Sequence, residues 1–538
     1  MKTREAILKP LKTGQSFDLL VIGGGATGCG VALDAASRGL RVALVEKGDF
    51  GSGTSAKSTK LLHGGVRYLE RAVRGLDRAS YRLVKEALHE RGILLRIAPH
   101  LCRSLPFMVP LYRLSDLCYF LAGLKLYDLL AGKAGIGASR VVGPAELIRR
   151  FPAVRRAGLK GGVLYYDGQF DDARLNLALA LTAREQGGAL ANYLEVADFL
   201  REEGRLTGVL VRERFSGESW QIRTRCLVNA CGPSADLIRR LDDAGAPPLL
   251  QVSSGSHLVL SRNLTPGDTG LTIPRTCDGR VLFVLPWHGR TLVGTTDRPA
   301  SPGVPPEAGE EDVAYLLGHL GHYFELGPGG GEDAVAARWA GLRPLVGENS
   351  ASSTATLHRD HLIECSRSGL ITITGGKWTT YRKMAQDTVD QAVLAAGLAP
   401  QTECRTAGLI LHGGAGFREE QERTLAERYR LAPDCARHLH RSYGDRAEEV
   451  ALLCRGELGE RLAAGYPYLK GEVLYAVREE LALRACDVLA RRLGLALLDT
   501  AATREAAPAV VELLARELGW DGERLAAERR ELAALLLE

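Results

Sequence analysis

The residues FDLLVI at positions 17–22 run directly into Gly23, Gly25 and Gly28, spaced G-x-G-x-x-G. An apolar run of this length suits a strand buried on both faces of a parallel sheet. Gly23 permits a tight turn, Gly25 lets a pyrophosphate approach the backbone, and Gly28 lets the following helix pack on the strand. Residues 26–37 are helical in composition, and Gly39 stops the helix. Residues 41–46 form the next strand, which ends on Glu46, 18 positions past Gly28. Strand, helix and strand joined this closely predict a doubly wound α/β sheet. The helix N-terminus, with Ala26 and Thr27 in its first turn, offers amide donors to phosphates. Glu46 can accept from ribose hydroxyls and would repel a 2′-phosphate, which argues against NADP.

The segment after Glu46 narrows the dinucleotide. Residues 51–65 read GSGTSAKSTKLLHGG. A nicotinamide cofactor rarely needs a long Ser/Thr/Gly loop at this place. A flavin does, because hydroxyls and amides must line its pyrophosphate, ribityl chain and ring edge. FAD is therefore expected, held by Lys47, Thr54, Ser55, Ser58, Thr59, Leu62, His63, Gly64 and Gly65. Ala230 and Gly232 in VNACGP fit a strand end near the pyrophosphate. Gly375 and Gly376 in TGGKWTT permit close approach to the ring, with Lys377 and Thr379 beside them at a helix start.

The totals exclude several classes. With 538 residues the chain has room for two to four domains. A net charge of +5 on 69 basic and 64 acidic residues is too small to imply a nucleic-acid partner. The 11 cysteines form no CxxC pair and have no histidines at zinc-ligand spacing, so no metal is expected and the thiols read as free in a reducing compartment. The basic start MKTREAILKPLKTGQSF superficially resembles a leader, but cleavage in the run behind it would destroy the glycine motif. No run of 18 or more apolar residues is free of charge, so no spanning helix is expected. Residues 114–130, LSDLCYFLAGLKLYDLL, are apolar enough to lie in a membrane interface, or equally to be a core helix.

Residues 77–97 read as an amphipathic helix, 162–166 as a short strand, 206–212 with 220–226 as a hairpin, and 251–296 as strand-rich. After Pro400 the chain turns rich in Arg, Glu, Leu and Ala and reads as helical. The expected architecture is a Rossmann-type FAD-binding domain (1–110, 160–250 and 340–399), an inserted antiparallel-sheet domain facing substrate and membrane (111–159 and 251–339), and a C-terminal helical domain (400–538).

The stretches GTSAKSTKLLHGGVRYLE, WHGRTLVGTTD, AGLRPLV and TGGKWTTYRKMA resemble the FAD-dependent glycerol-3-phosphate dehydrogenases, which share the D-amino-acid oxidase fold. The resemblance runs from about residue 17 to residue 396. It implies oxidation of sn-glycerol 3-phosphate to dihydroxyacetone phosphate, with electrons passed through FAD to a membrane quinone. It also implies peripheral attachment to the inner, cytoplasmic face of the cell membrane; a homodimer is an open option. The chemistry needs a base, cations for the phosphate and positive charge beside the flavin. Matched to the family motifs, Arg67, Arg343 and Arg359 are expected to contact the substrate anion, with Tyr68 adding a donor. His257 is expected to face the substrate and take the C2-hydroxyl proton, with His63 the second candidate. Lys377 supplies the charge near the flavin, and Thr295, Thr296 and Asp297 only shape the site. An oxidase using O₂ is the alternative within the family; an FAD-binding structural protein is the alternative outside it.

Overall fold

The computed structural model describes residues 4–65, 77–327, 331–347 and 361–537. Two sheets dominate it. The first has Phe17–Ile22 at its centre, paired in parallel with Val42–Val45 on one side and Ser219–Asn229 on the other. Leu370–Gly375 adds in parallel to Ser219–Asn229, and Ala189–Ala191 to Val42–Val45. Both faces are covered, so Leu19, Leu20 and Val21 are fully buried, as the unbroken apolar run requires. The helix Ala26–Ser37 follows the glycine turn, with the helix Tyr381–Ala396 packed against it. Gly30 is the contact point, since a Cβ there would lie 2.8 Å from the Tyr381 ring.

Ser219–Asn229 plays two parts. Its first half pairs antiparallel with Arg205–Glu213, the hairpin read from the sequence, and its second half enters the parallel sheet.

The second sheet has ten strands. Its core is Leu250–Leu260, flanked by Arg290–Gly294 and by the long strand Val335–Val346. Among the described residues its pairings are antiparallel except one, between Gly270–Ile273 and Cys102–Leu111. Two strands depart from the sequence reading. Cys102–Leu111 and Gly161–Phe170 were placed in the nucleotide-binding segments, but they pair with each other across ten positions inside the second sheet. Gly161–Phe170 is also twice the length of the short strand expected. The physical reason is its partner: Phe107, Val109, Val163 and Tyr165 alternate along the two strands and bury one common face.

The C-terminal part is helical, with Lys470–Arg478, Thr500–Leu518 and Gly522–Leu537 among its elements. It does not stand apart. Val473, Val488, Leu489, Val510 and Leu514 share one apolar cluster with Leu105, Phe107, Val109 and Tyr165 of the second sheet. Three buried ion pairs bind it to the nucleotide side as well. Asp49 meets the guanidinium groups of Arg491 and Arg492, and Arg174 meets Glu480 at 2.8 Å. Burial alone would raise the Asp49 carboxyl, but the two arginines outweigh it and bring it down to about 2.

Candidate active site

A cavity of about 2100 Å³ is lined by both sheets. At one end stand Gly23, Gly25, Ala26, Thr27, Glu46 and Lys47. The walls then pass through Thr54, Ser55, Ser58 and Thr59 to His63 and Gly65, with Ala230 and Gly232 on one flank. Gly375, Gly376, Lys377, Thr379, His257 and Arg343 line the cavity as well.

The glycine end is shaped by close approach. Gly23 has φ +109°, and a Cβ there would stand 2.7 Å from the Ala230 carbonyl oxygen. A Cβ on Gly28 would stand 1.9 Å from the Gly23 oxygen, so Gly28 lies behind the cavity wall and serves packing. Glu46 accepts the Gly24 amide at 2.6 Å and the Gly48 amide at 2.7 Å, one on each carboxylate oxygen. The Ser55 hydroxyl accepts the Ala26 amide at 2.9 Å, and the Trp378 indole donates to the Ser55 carbonyl at 2.9 Å. The loop is thereby tied to the helix start on one side and to the Lys377 turn on the other. Thr54 instead donates to the Leu342 carbonyl at 2.6 Å, and the Ser58 amide donates to Asp172 at 2.9 Å.

Two more residues expected to contact the cofactor do not line the cavity. Leu62 is fully buried and packs against Gly168. Gly64 gives its amide to the Tyr127 hydroxyl at 2.7 Å, and Tyr127 in turn donates to Asp167 at 2.9 Å, beside Arg91. His63 does border the cavity, with its ring over Phe283 at a centroid distance of 6.4 Å. The Lys377 Nζ is shielded from solvent at the start of the Trp378–Thr380 turn, and the buried Thr379 follows.

The other wall comes from strand register. His257 lies opposite Trp339 and Gly294 on its two neighbours, and Ser253 lies opposite Arg343. With a period of two, Gly255 and His257 share a face, as do Trp339, Gly341 and Arg343. Glycines leave room for the large side chains. A Cβ on Gly255 would stand 2.1 Å from Arg343 Nη2, and one on Gly294 would stand 2.2 Å from His257 Cδ2. The Arg343 guanidinium donates to Asp297 at 3.1 Å, to the Thr295 hydroxyl at 2.9 Å and to the Thr296 carbonyl at 3.0 Å. The three residues credited only with shaping the site therefore fix its arginine.

His257 is buried, and its ring stacks on Trp339 with centroids 4.1 Å apart. Burial first, then the charges of Arg343 and Lys60, push its imidazole well below the usual histidine range, so it is neutral at physiological pH. Lys60 is buried against Asp172, with its ammonium 5.1 Å from the centre of the Trp339 ring. Sequence reasoning missed Trp339, Lys60 and the glycines at 255, 294 and 341. The alternation G-S-H and W-A-G-L-R was their only sequence signal. Arg67, Tyr68 and Arg359 lie outside the described residues.

The apolar helix Leu114–Ala131 forms part of the cavity wall through Tyr119, Phe120, Gly123 and Leu124. It buries Leu124 and Tyr127 while leaving Leu114 and Leu129 exposed.

The family model described as FAD dependent oxidoreductase matches residues 18–382. A second, the C-terminal domain of alpha-glycerophosphate oxidase, matches residues 404–525. The mitochondrial glycerol-3-phosphate dehydrogenase of Mus musculus is 45% identical over 96% of this chain and 73% of its own length. The chain belongs to the FAD-dependent glycerol-3-phosphate dehydrogenase family. The probable mitochondrial glycerol-3-phosphate dehydrogenase of Caenorhabditis elegans is 46% identical over 97% of this chain and 73% of its own. The crystal structure of glycerol-3-phosphate dehydrogenase from Bacillus halodurans complexed with FAD superposes with a TM-score of 0.80, at 30% identity, covering 99% of this chain and 97% of that one. FAD is the cofactor of this dehydrogenase family member. The lining fits it: glycines crowded against main chain leave room for a pyrophosphate, and the hydroxyls of Thr54, Ser55, Ser58 and Thr59 and the Lys377 side chain stand among the lining residues.

Proposed function

We propose that this enzyme oxidises sn-glycerol 3-phosphate to dihydroxyacetone phosphate. The observation that carries the reading is the placement of His257 and Arg343 on neighbouring strands, in a cavity continuous with the glycine-walled cradle. Arg343, joined by Arg67 and Arg359, binds the substrate phosphate. Asp297, Thr295 and Thr296 hold the plane of its guanidinium so that the charge is aimed before substrate arrives. His257, neutral at physiological pH, receives the proton of the C2 hydroxyl. FAD, when bound, accepts the hydride from C2. Lys377 adds positive charge beside the ring, and the Phe283 ring on the cavity wall limits water at the reacting carbon. Lining of the cradle by the remaining cofactor residues named above belongs to the same reading.

Electrons leave to a membrane quinone. No helix among the described residues is long and apolar enough to cross a membrane. The helix Leu114–Ala131, with Leu114 and Leu129 exposed outside and Tyr119 and Phe120 on the cavity, is the element that rests on the inner face of the cell membrane. The match of the tail to an oxidase C-terminal domain makes O₂ the competing acceptor.

The test is anaerobic. The yellow holoenzyme bleaches on adding sn-glycerol 3-phosphate, and a quinone analogue restores the colour faster than O₂ does. Bleaching by an amino acid instead would sink the substrate; faster recovery with O₂ would sink the acceptor.

A further inference from the structure

His257 borders the cavity yet is only 2% exposed. Its ring is held from several directions. One face lies on Trp339, whose indole donates to the Leu497 carbonyl at 3.2 Å and so is anchored by the C-terminal helices. One edge lies over Gly294, where no side chain intervenes. The Nε2 atom lies 2.9 Å from the Thr59 hydroxyl. Both residues line the cavity, and Thr59 is the more exposed of the two.

We propose that Thr59 is a proton-relay hydroxyl, linking the C2 hydroxyl of the substrate to His257 Nε2. The inference rests on His257 being the base. The C2–OH proton moves to Thr59 Oγ1 while the proton already on Oγ1 moves to Nε2. The O–H electron pair becomes the second C–O bond of the ketone, and the C2–H pair leaves as hydride to the bound flavin. Threonine ends as it began, and the imidazole carries the extra proton. The setting suits this. A neutral imidazole with its proton on Nδ1 can accept from Thr59 through Nε2, and the two cations nearest the ring are each paired with a carboxylate, Lys60 with Asp172 and Arg343 with Asp297. A residue first expected to touch only the cofactor thus joins cofactor loop and base.

The test compares Thr59→Val, Thr59→Ser, His257→Asn and the Thr59→Val/His257→Asn double variant as holoenzymes. Thr59→Val is expected to keep its FAD and its KM within a few-fold while kcat falls about a hundredfold, the low end for general acid–base catalysis. Thr59→Ser should restore most of kcat and its solvent isotope effect. In the His257→Asn background, adding Thr59→Val should cost less than threefold. A ¹⁵N-histidine spectrum of the Thr59→Val holoenzyme should show the His257 Nε2 resonance moved while the other histidines stay. If Thr59→Val costs less than threefold while His257→Asn costs a hundredfold, the relay is wrong and the base stands. If neither costs more than threefold, the base assignment falls and takes the relay with it. Loss of FAD from Thr59→Val, restored by Thr59→Ser, would return Thr59 to a cofactor contact and overturn the relay.

Discussion

The two ends of the cavity are made by opposite means. The dinucleotide cradle is backbone and absence: Gly23, Gly25 and the Ser55 hydroxyl crowd a helix start so that main chain can face phosphate. The substrate wall is side chain and support: Arg343 and His257 are large groups, and each needs neighbours to hold it and a glycine opposite to admit it. A cradle of this kind tolerates almost no added atom. A wall of this kind tolerates substitution structurally but loses aim. Errors at the first end should therefore be read as lost flavin, and errors at the second as lost rate.

The largest expected effect is at Gly28. Gly28→Ala puts a methyl 1.9 Å from a main-chain oxygen that has nowhere to go. The purified variant should be colourless or insoluble, checked by its absorbance near the flavin bands; a yellow, soluble variant would break the contrast at its root. Next is Arg492→Met, which strips one arginine from the buried Asp49. Breaking such a pair costs about 3–5 kcal/mol, read as a lower denaturant midpoint with substrate affinity unchanged in what remains folded. Gly255→Ala comes third. The added methyl meets only the tip of Arg343, so the fold and FAD should survive while kcat/KM falls about a hundredfold through misplacement of the guanidinium. Retained activity there would mean that Arg343 is not aimed at the substrate.

The smallest effect is with pH. His257 is held well below its ordinary range by burial first, and His100 is lowered to about 3, again by burial first. Both stay neutral in the folded chain while the unfolded chain takes up protons below about 6.5. Their contribution to stability is thus complete above that pH and is lost progressively as pH falls toward 3. Thermal midpoints measured from pH 7 downward should decline on this account, and His100→Gln should flatten the decline.

The same contrast explains what could be read in the residues alone. Gly23, Gly25, Gly28 and Glu46 sit within one short segment, so local spacing shows a dinucleotide cradle on a parallel sheet, and the loop at 51–65 narrows the cofactor to FAD. Arg343 and His257 were reached only through family motifs, because their neighbourhood depends on register between strands 80 and more residues apart. Trp339 showed only through strand alternation, and the Thr59 contact had no local signal at all. Residues 102–110 and 161–170 fall within the segments expected to bind the nucleotide, yet their strands pair inside the second sheet, because an alternating strand shows that it has a buried face, not which sheet supplies its partner.

The pairing of Asp49 with Arg491 and Arg492 has a consequence for how the protein is made. Asp49 lies three residues past Glu46, and its partners follow 442 and 443 residues later in the chain. During synthesis the first βαβ unit emerges early, but its loop holds an unpaired carboxylate until residues 491 and 492 have been made. Strand Leu370–Gly375 and Lys377 also arrive late. A chain cut short of Arg491 should therefore leave Asp49 unpaired and be more protease-sensitive than the full chain, as limited proteolysis would show.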